Sequence, residues 1–194
     1  SHAVFVRSPH AHARINSIHI DAAKAAPGVL GVFVGADVAA DNINGLPCGW
    51  LITSTDGQPM NEPPHPILAQ GKVRYVGDGV AMVVANTLQQ ARDAAELVEV
   101  DYDVLPAVVN VSDAAAGAVP GAALHDVAPD NHCFKWAIGD KGGVDAAFAN
   151  AAHVSQIDLI NNRLIPNAME PRTAIGSYSR ANDDYTLYVS NQNP

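Results

Sequence analysis

The stretch "GVAMVVANTLQQARDAAELVEVDYDVLP", residues 79–106, decides how this chain folds. Val80 to Ala85 is an unbroken apolar run, as expected of a strand covered on both faces. Thr87 then offers a hydroxyl to cap a helix, with Gln90 three residues on, the pattern of a capping box. Leu88, Ala91, Ala95 and Val98 recur at helical spacing, and Arg92, Asp93 and Glu96 lie off that stripe. The segment "VEVDYDV" returns as a strand and leaves through Pro106. Strand, helix and strand follow in under thirty residues.

Upstream, "KVRYV" precedes a turn at Gly77-Asp78-Gly79. Nearer the N-terminus, "AVFVR" reads as a strand, "SPHAHAR" follows it, and in "SIHI" Ile18 and Ile20 alternate with His19. "DAAKAAPG" is a short helix stopped by Pro27 and Gly28. "VLGVFVGADV" is another strand, closed by a turn with Asp37. Residues 41–70 hold Pro47, Pro59, Pro63, Pro64 and Pro66, which break helices and central strands, so a long loop is expected. Residues 1–112 thus mix strands with two helices.

Residues 113–135 are rich in Ala, Gly and Pro and read as a linker. Beyond it, "GGVDAAFANA" is a helix with Val144, Ala147, Phe148 and Ala151 on one face. The irregular stretch "NNRLIPNAMEPRT" leads into a hairpin: "AIGSYS", a turn at "RANDD", then "YTLYVS". Its last strand alternates Tyr185, Leu187 and Val189 with Thr186 and Tyr188, the period of two of a half-buried strand. It delivers Ser190, Asn191, Gln192 and Asn193, a polar cluster. A lone segment of residues 136–194 is near the size at which a domain is marginal.

The totals exclude several function classes. The chain has 194 residues, 48% hydrophobic and 16% charged, an ordinary globular composition. A net charge of −9 and the absence of a basic stripe speak against nucleic acid and anionic membranes. No apolar run approaches the roughly 18 residues of a membrane span. Two cysteines are too few for a disulfide framework or an iron–sulfur cluster, which favours the cytoplasm. No signal peptide is visible, and a start at Ser1 rather than Met fits an excised piece or a processed subunit.

Candidate sites are sparse. His10 and His12 would share a strand face and offer two imidazoles to zinc or copper, unless they are an exposed or hydrogen-bonded pair. His65, His125 and His153 are scattered. "GDKGG" (Gly139 to Gly143) could present backbone N–H groups to an anion, or simply start a helix. Asp101 and Asp103 share a strand face, as an acid–base pair or as a solvated edge. Arg172 could pair with Glu170. Cys48 lies in the long loop with no assignable base, so it is not read as a nucleophile. No complete catalytic constellation emerges.

The segments "VFVRSPHAHARI", "PGVLGVFVGADV", "KVRYVGDGVAMVVANTLQQARDAAELVEVDYDVLPAVV" and "AFANAAHVSQ" resemble the start of the large, molybdopterin-binding subunit of the molybdenum hydroxylase family. That family includes xanthine dehydrogenase, aldehyde oxidase and carbon monoxide dehydrogenase. "NHCFKWAIGDKGGVDAAFANA" is most similar to the carbon monoxide dehydrogenase branch. The resemblance implies an α+β fold: an α/β-hammerhead domain (residues 1–112), a linker (113–135) and the truncated start of the molybdenum-cofactor domain (136–194). It implies molybdopterin cytosine dinucleotide or a related molybdenum cofactor in the full-length protein, and none in this segment. Implied partners are FAD-binding and iron–sulfur subunits or domains and the rest of the large subunit.

"YVSNQNP" is similar to the family's Ser-Thr-Gln-Asn strand end, with Asn191 where Thr is commoner. By that resemblance Gln192 is the residue beside molybdenum, donating a hydrogen bond to its apical oxo ligand. An amide suits the role because it donates without adding charge. The implied reaction is oxidative hydroxylation with water as the oxygen source, in the complete subunit and not in this segment alone. The alternative is a non-enzymatic hammerhead module for subunit contact or small-ligand binding.

Overall fold

The computed structural model describes residues 1–115, 117–162, 164–165 and 167–191. The chain divides into two units, Ser1–Gly139 and Asp140–Pro194.

In the first unit the elements run β1 (His2–Arg7), β2 (Ala13–His19), α1 (Asp21–Ala25), β3 (Val29–Val34), α2 (Gly35–Ala40), β4 (Lys72–Val73), β5 (Gly79–Ala85), α3 (Leu88–Ala95), β6 (Glu99–Val104) and α4 (Val111–Ala115). They form two three-stranded antiparallel sheets, β1-β5-β3 and β4-β2-β6. The apolar run at 80–85 is the middle strand of the first sheet. Val83 sits opposite Val4 on one neighbour and Val32 on the other.

Its two faces meet different partners, which is why the run is unbroken. Val83 clusters with Ala23 of α1, Val32 and Ala94 of α3. Val80, three residues away and so on the opposite face, clusters with Ala13 and Val73 of the second sheet and with Ala69. Ile15, Ile18, Val100 and Tyr102 close the rest of that second cluster. The strand is therefore sandwiched between helices and a sheet. Each fully buried valine contributes about 1.5–3 kcal/mol relative to exposure.

Helix α3 starts as predicted at Thr87, whose hydroxyl oxygen accepts the Gln90 N–H at 3.2 Å. The capping box is only half built. Gln90 turns its amide oxygen to the Thr87 hydroxyl, 3.1 Å away, instead of to the Thr87 N–H. The buried stripe is also rotated from the expected one: Ala91 and Ala94 are buried, with Ala95 and Val98 packed beside them. Leu88 stays 40% exposed. Alanines let the short helix approach the sheet more closely than leucine would.

The turn expected at Asp37 is instead helix α2, whose first turn is closed by the Asp37 carboxylate accepting the Val34 N–H at 2.8 Å. A Cβ on Gly35 would run into the Ala69 backbone carbonyl, so this helix start needs glycine to approach the end of the long loop. Strand β2 is longer than "SIHI"; it begins at Ala13, and Ile20 is already the N-cap of α1. Only Lys72–Val73 of "KVRYV" pairs as a strand. Residues 41–70 form the long loop, with one isolated bridge between Thr53 and Pro59.

The second unit contains α5 (Lys141–Ala149) and the hairpin of β7 (Ala174–Ser179) and β8 (Asp184–Val189). Tyr178 faces Tyr185 across the ladder with ring centroids 4.7 Å apart. The hairpin forms where the sequence puts it, with Asp184 already in β8 opposite Ser179, but β8 is not half-buried. Tyr185, Leu187, Val189 and Tyr188 are all exposed, so among the described residues neither face is covered. The same holds for Val144 and Phe148, the bulky members of the predicted stripe on α5. The periodicity is present without the surface that it would bury.

Candidate functional site

The chain passes between the two sheets at every connection of the first unit, and two of the short crossings lie side by side. Residues 8–12 carry the chain from β1 to β2, and residues 74–78 carry it from β4 to β5. The crossings are bonded to each other: Ser8 N–H to the Asp78 carbonyl and Gly77 N–H to the Ser8 carbonyl, each 2.8 Å, and the Arg7 guanidinium to the Gly77 carbonyl, also 2.8 Å. The Asp78 carboxylate accepts the Arg74 N–H at 3.0 Å and closes the turn read at Gly77-Asp78-Gly79.

His12 ties a third segment into this knot. Its Nδ1 lies 2.7 Å from the Pro106 carbonyl, and its own carbonyl accepts the Leu105 N–H at 2.9 Å. A carbonyl only accepts, so Nδ1 carries a proton, and Nε2 is buried with no hydrogen-bond partner among the described residues. His10 packs edge-on against Tyr102, with centroids 5.0 Å apart. Neither histidine is on a strand, and the expected common face does not exist. Among the described residues no three His, Cys, Asp or Glu side chains converge on a metal position. In this structure the two imidazoles are engaged separately, His12 by the Pro106 carbonyl and His10 by the Tyr102 ring.

Asp101 and Asp103 do share a face of β6, but both are exposed. Asp101 accepts from the Asn16 amide at 3.2 Å, and Asp103 sits opposite Arg14 in the ladder. They are a solvated edge. Cys48, also exposed, donates its thiol to the Trp50 carbonyl and its backbone N–H to the Glu62 carboxylate at 3.3 Å, and no imidazole is bonded to it among the described residues.

The long loop is fastened to residues 131–135. Thr55 N–H donates to the Lys135 carbonyl and Lys135 N–H to Ser54 Oγ, both at 2.9 Å; Asn61 N–H donates to the Cys133 carbonyl at 2.7 Å. A polar cleft of about 200 Å³ lies along this seam, lined by Ser54, Asp56, Gln58, Asn61, Asp130 and His132 among others. Asp130 is held below the usual carboxylate range, chiefly by hydrogen bonding from the His132 backbone.

His125 is a residue that sequence spacing did not single out. Arg74 Nε donates to the carbonyl of Leu124 on one side of it, and Lys72 lies 4.0 Å from Asp126 on the other. Burial, then Arg74 and Lys72, hold His125 below the ordinary imidazole range, with Asp126 opposing them. The unfolded chain therefore takes up this proton near pH 6.5 and the folded one only lower. Stability is full above that pH and falls as the pH drops through it towards the folded value. His125→Asn is expected to flatten this part of the pH dependence, read from urea midpoints between about pH 7 and pH 5. An unchanged slope refutes the assignment.

In the second unit, Asp140 caps α5, its Oδ1 accepting the Gly143 N–H at 3.0 Å. A carboxylate already holds this helix start, so "GDKGG" begins a helix and offers an anion nothing. Glu170 does not pair with Arg172 among the described residues. It accepts instead from the Ser190 hydroxyl, 2.8 Å away, and Ser190 N–H donates to the Thr173 carbonyl at 3.0 Å. Ser190 follows directly on β8. Gln192, two positions further, lies outside the described residues. The open end of the hairpin offers the Ser190 hydroxyl and the Asn191 amide beside the Glu170 carboxylate, and from Asp184 to Asn191 there is no imidazole or thiolate. Hydroxyl and amide donors could touch the ligands of a metal that is held by its own organic group.

No helix among the described residues is long and apolar enough to cross a membrane. Residues 1–106 match the family model for the a/b hammerhead domain of aldehyde oxidase and xanthine dehydrogenase, and residues 124–194 match that for the molybdopterin cofactor-binding domain. The carbon monoxide dehydrogenase large chain of Afipia carboxidovorans is 38% identical over 98% of this chain and 23% of its own length. The nicotine 6-hydroxylase large subunit of Paenarthrobacter nicotinovorans is 34% identical over 100% of this chain and 22% of its own. Among solved structures, a Cu,Mo-CO dehydrogenase in its carbon monoxide reduced state superposes with a TM-score of 0.79 at 35% identity, over 96% of this chain and 23% of that one. Quinoline 2-oxidoreductase from Pseudomonas putida 86 gives 0.78 at 34%, over 96% and 22%. The chain thus spans less than a quarter of these relatives, and over that span it belongs to the molybdenum hydroxylase family, carrying its hammerhead domain and the start of its molybdopterin-binding domain.

Proposed function

We propose that this chain is the N-terminal part of the large, catalytic subunit of a molybdenum hydroxylase that oxidises a small substrate with water as the oxygen source. The observation that carries the reading is a likeness running through both units in order, to proteins named as a carbon monoxide dehydrogenase and a nicotine hydroxylase. The domain division proposed is 1–112 hammerhead, 113–135 linker and 136–194 start of the cofactor domain.

When bound, a molybdopterin cofactor, as the cytosine dinucleotide or a related form, supplies the redox chemistry. By the family resemblance Gln192 is the residue this chain would contribute beside that group, where its amide could donate a hydrogen bond without adding charge. The uncovered faces of α5 and β8 support a pocket completed by polypeptide beyond these residues. FAD-binding and iron–sulfur subunits take the electrons onward.

The test is metal and pterin analysis of the complete subunit and of this segment, purified alike, with substrate turnover in ¹⁸O-water. The complete subunit should hold stoichiometric molybdenum and place ¹⁸O in the product. The segment should hold neither metal nor activity. Stoichiometric molybdenum in the segment alone, or product oxygen drawn from O₂, refutes the proposal.

A further inference from the structure

We infer that Glu170 is a positioning residue: with Ser190 it forms a latch that fixes the direction in which the chain leaves β8 toward Gln192. The inference rests on the proposed role of Gln192 at the metal. Ser190 is the first residue past β8, where a hairpin ladder would ordinarily begin to fray. Two bonds hold it. Its N–H donates to the Thr173 carbonyl at 3.0 Å, adding a rung beyond the Ala174–Val189 pair. Its hydroxyl donates to Glu170 Oε1 at 2.8 Å, twenty residues away in sequence.

The partner segment is itself stiffened. Pro171 has a fixed φ, restricts Glu170 before it, and supplies no N–H to compete for the serine. A carboxylate only accepts, so the Ser190 proton must point at Glu170, and the charge strengthens the bond. A neutral amide two residues on has no charge of its own with which to find its place. Its aim must come from the backbone, and a donor of this kind works only within about 0.5 Å and 10–20° of its proper geometry.

The experiment uses the full-length holoenzyme with Glu170→Ala, Ser190→Ala, their double variant, Glu170→Gln, Ser190→Thr and Gln192→Ala. The readouts are kcat and KM, molybdenum content, and the Mo(V) electron paramagnetic resonance signal of partly reduced enzyme. Each alanine variant at the latch should lower kcat about tenfold and alter the signal at unchanged molybdenum content, as loss of a partner that orients a metal-site group does. KM should stay within about twofold. The double variant should be no worse than either single one, because the two side chains make one bond. Glu170→Gln, which still accepts, and Ser190→Thr, which still donates, should keep most of the activity.

If the latch variants match the parent in both readouts while Gln192→Ala disturbs both, the latch is wrong and the role of Gln192 stands. If Gln192→Ala is silent in both, that role falls and the latch with it. Molybdenum loss in step with kcat would make the bond a folding contact and overturn the inference.

Discussion

Val83→Asp is expected to unfold the first unit. Val83 has no exposed surface, lies in the middle of three strands, and faces Ala23, Val32 and Ala94. Nothing in that cluster can pair with a carboxylate. The aspartate must enter ionised and unpaired, or be protonated and still lack a hydrogen-bond partner, at a cost above about 4 kcal/mol. A domain has only about 5–15 kcal/mol in hand. The check is hydrogen exchange at the β5 amides in the full chain, beside far-UV circular dichroism. Protection should vanish across β1, β3 and β5 together, while Val83→Ile should retain it. Native protection in the aspartate variant would contradict the two-sided burial of β5.

His12→Ala should cost about 3 kcal/mol, a lost buried hydrogen bond plus a cavity. The imidazole is only 1% exposed, and its Nδ1–H is the hydrogen bond seen to the Pro106 carbonyl. Truncation leaves that carbonyl without its donor and opens a void where three segments meet. Urea unfolding should show a lower midpoint at unchanged slope. His12→Phe separates the causes: it fills most of the void but restores no donor, and should recover only part of the loss. If His12→Ala unfolds at the parent's midpoint, the histidine is not part of the joint.

The elements that were legible in the sequence are those fixed by local chemistry. The unbroken apolar run named β5, Thr87 named the start of α3, and Pro27 with Gly28 named the end of α1, where Gly28 takes φ +78°. The places that misread are those where distant contacts decide. Asp37 reads as a turn residue because a side chain capping its own turn and one opening a helix look alike in sequence. His10 and His12 alternate like strand residues, yet one is claimed by Tyr102 and the other by Pro106, about ninety residues downstream. Sheet membership was equally hidden. Lys72–Val73 and Gly79–Ala85 look like neighbours across a turn, yet they pair in different sheets.

At the candidate site, a resemblance and not spacing points to Gln192, because a single amide carries no spacing pattern of its own. Glu170 was noticed, but with Arg172 as its partner. A one-dimensional reading cannot see that β8 returns Ser190 to the Glu170 side of the hairpin.

Strand β1 has a single sheet neighbour, β5, and the two are separated by most of the first unit. On a ribosome adding about 5–20 residues per second, the roughly 70 residues between them take about 4–14 s to appear. For that interval "AVFVR" is out of the exit tunnel with no ladder to join. A nascent chain in this position is a client for a holding chaperone, and crowding of its kind at high expression favours inclusion bodies. The same antiparallel topology that places β5 between two layers makes β1 the strand of this unit that waits longest for a neighbour.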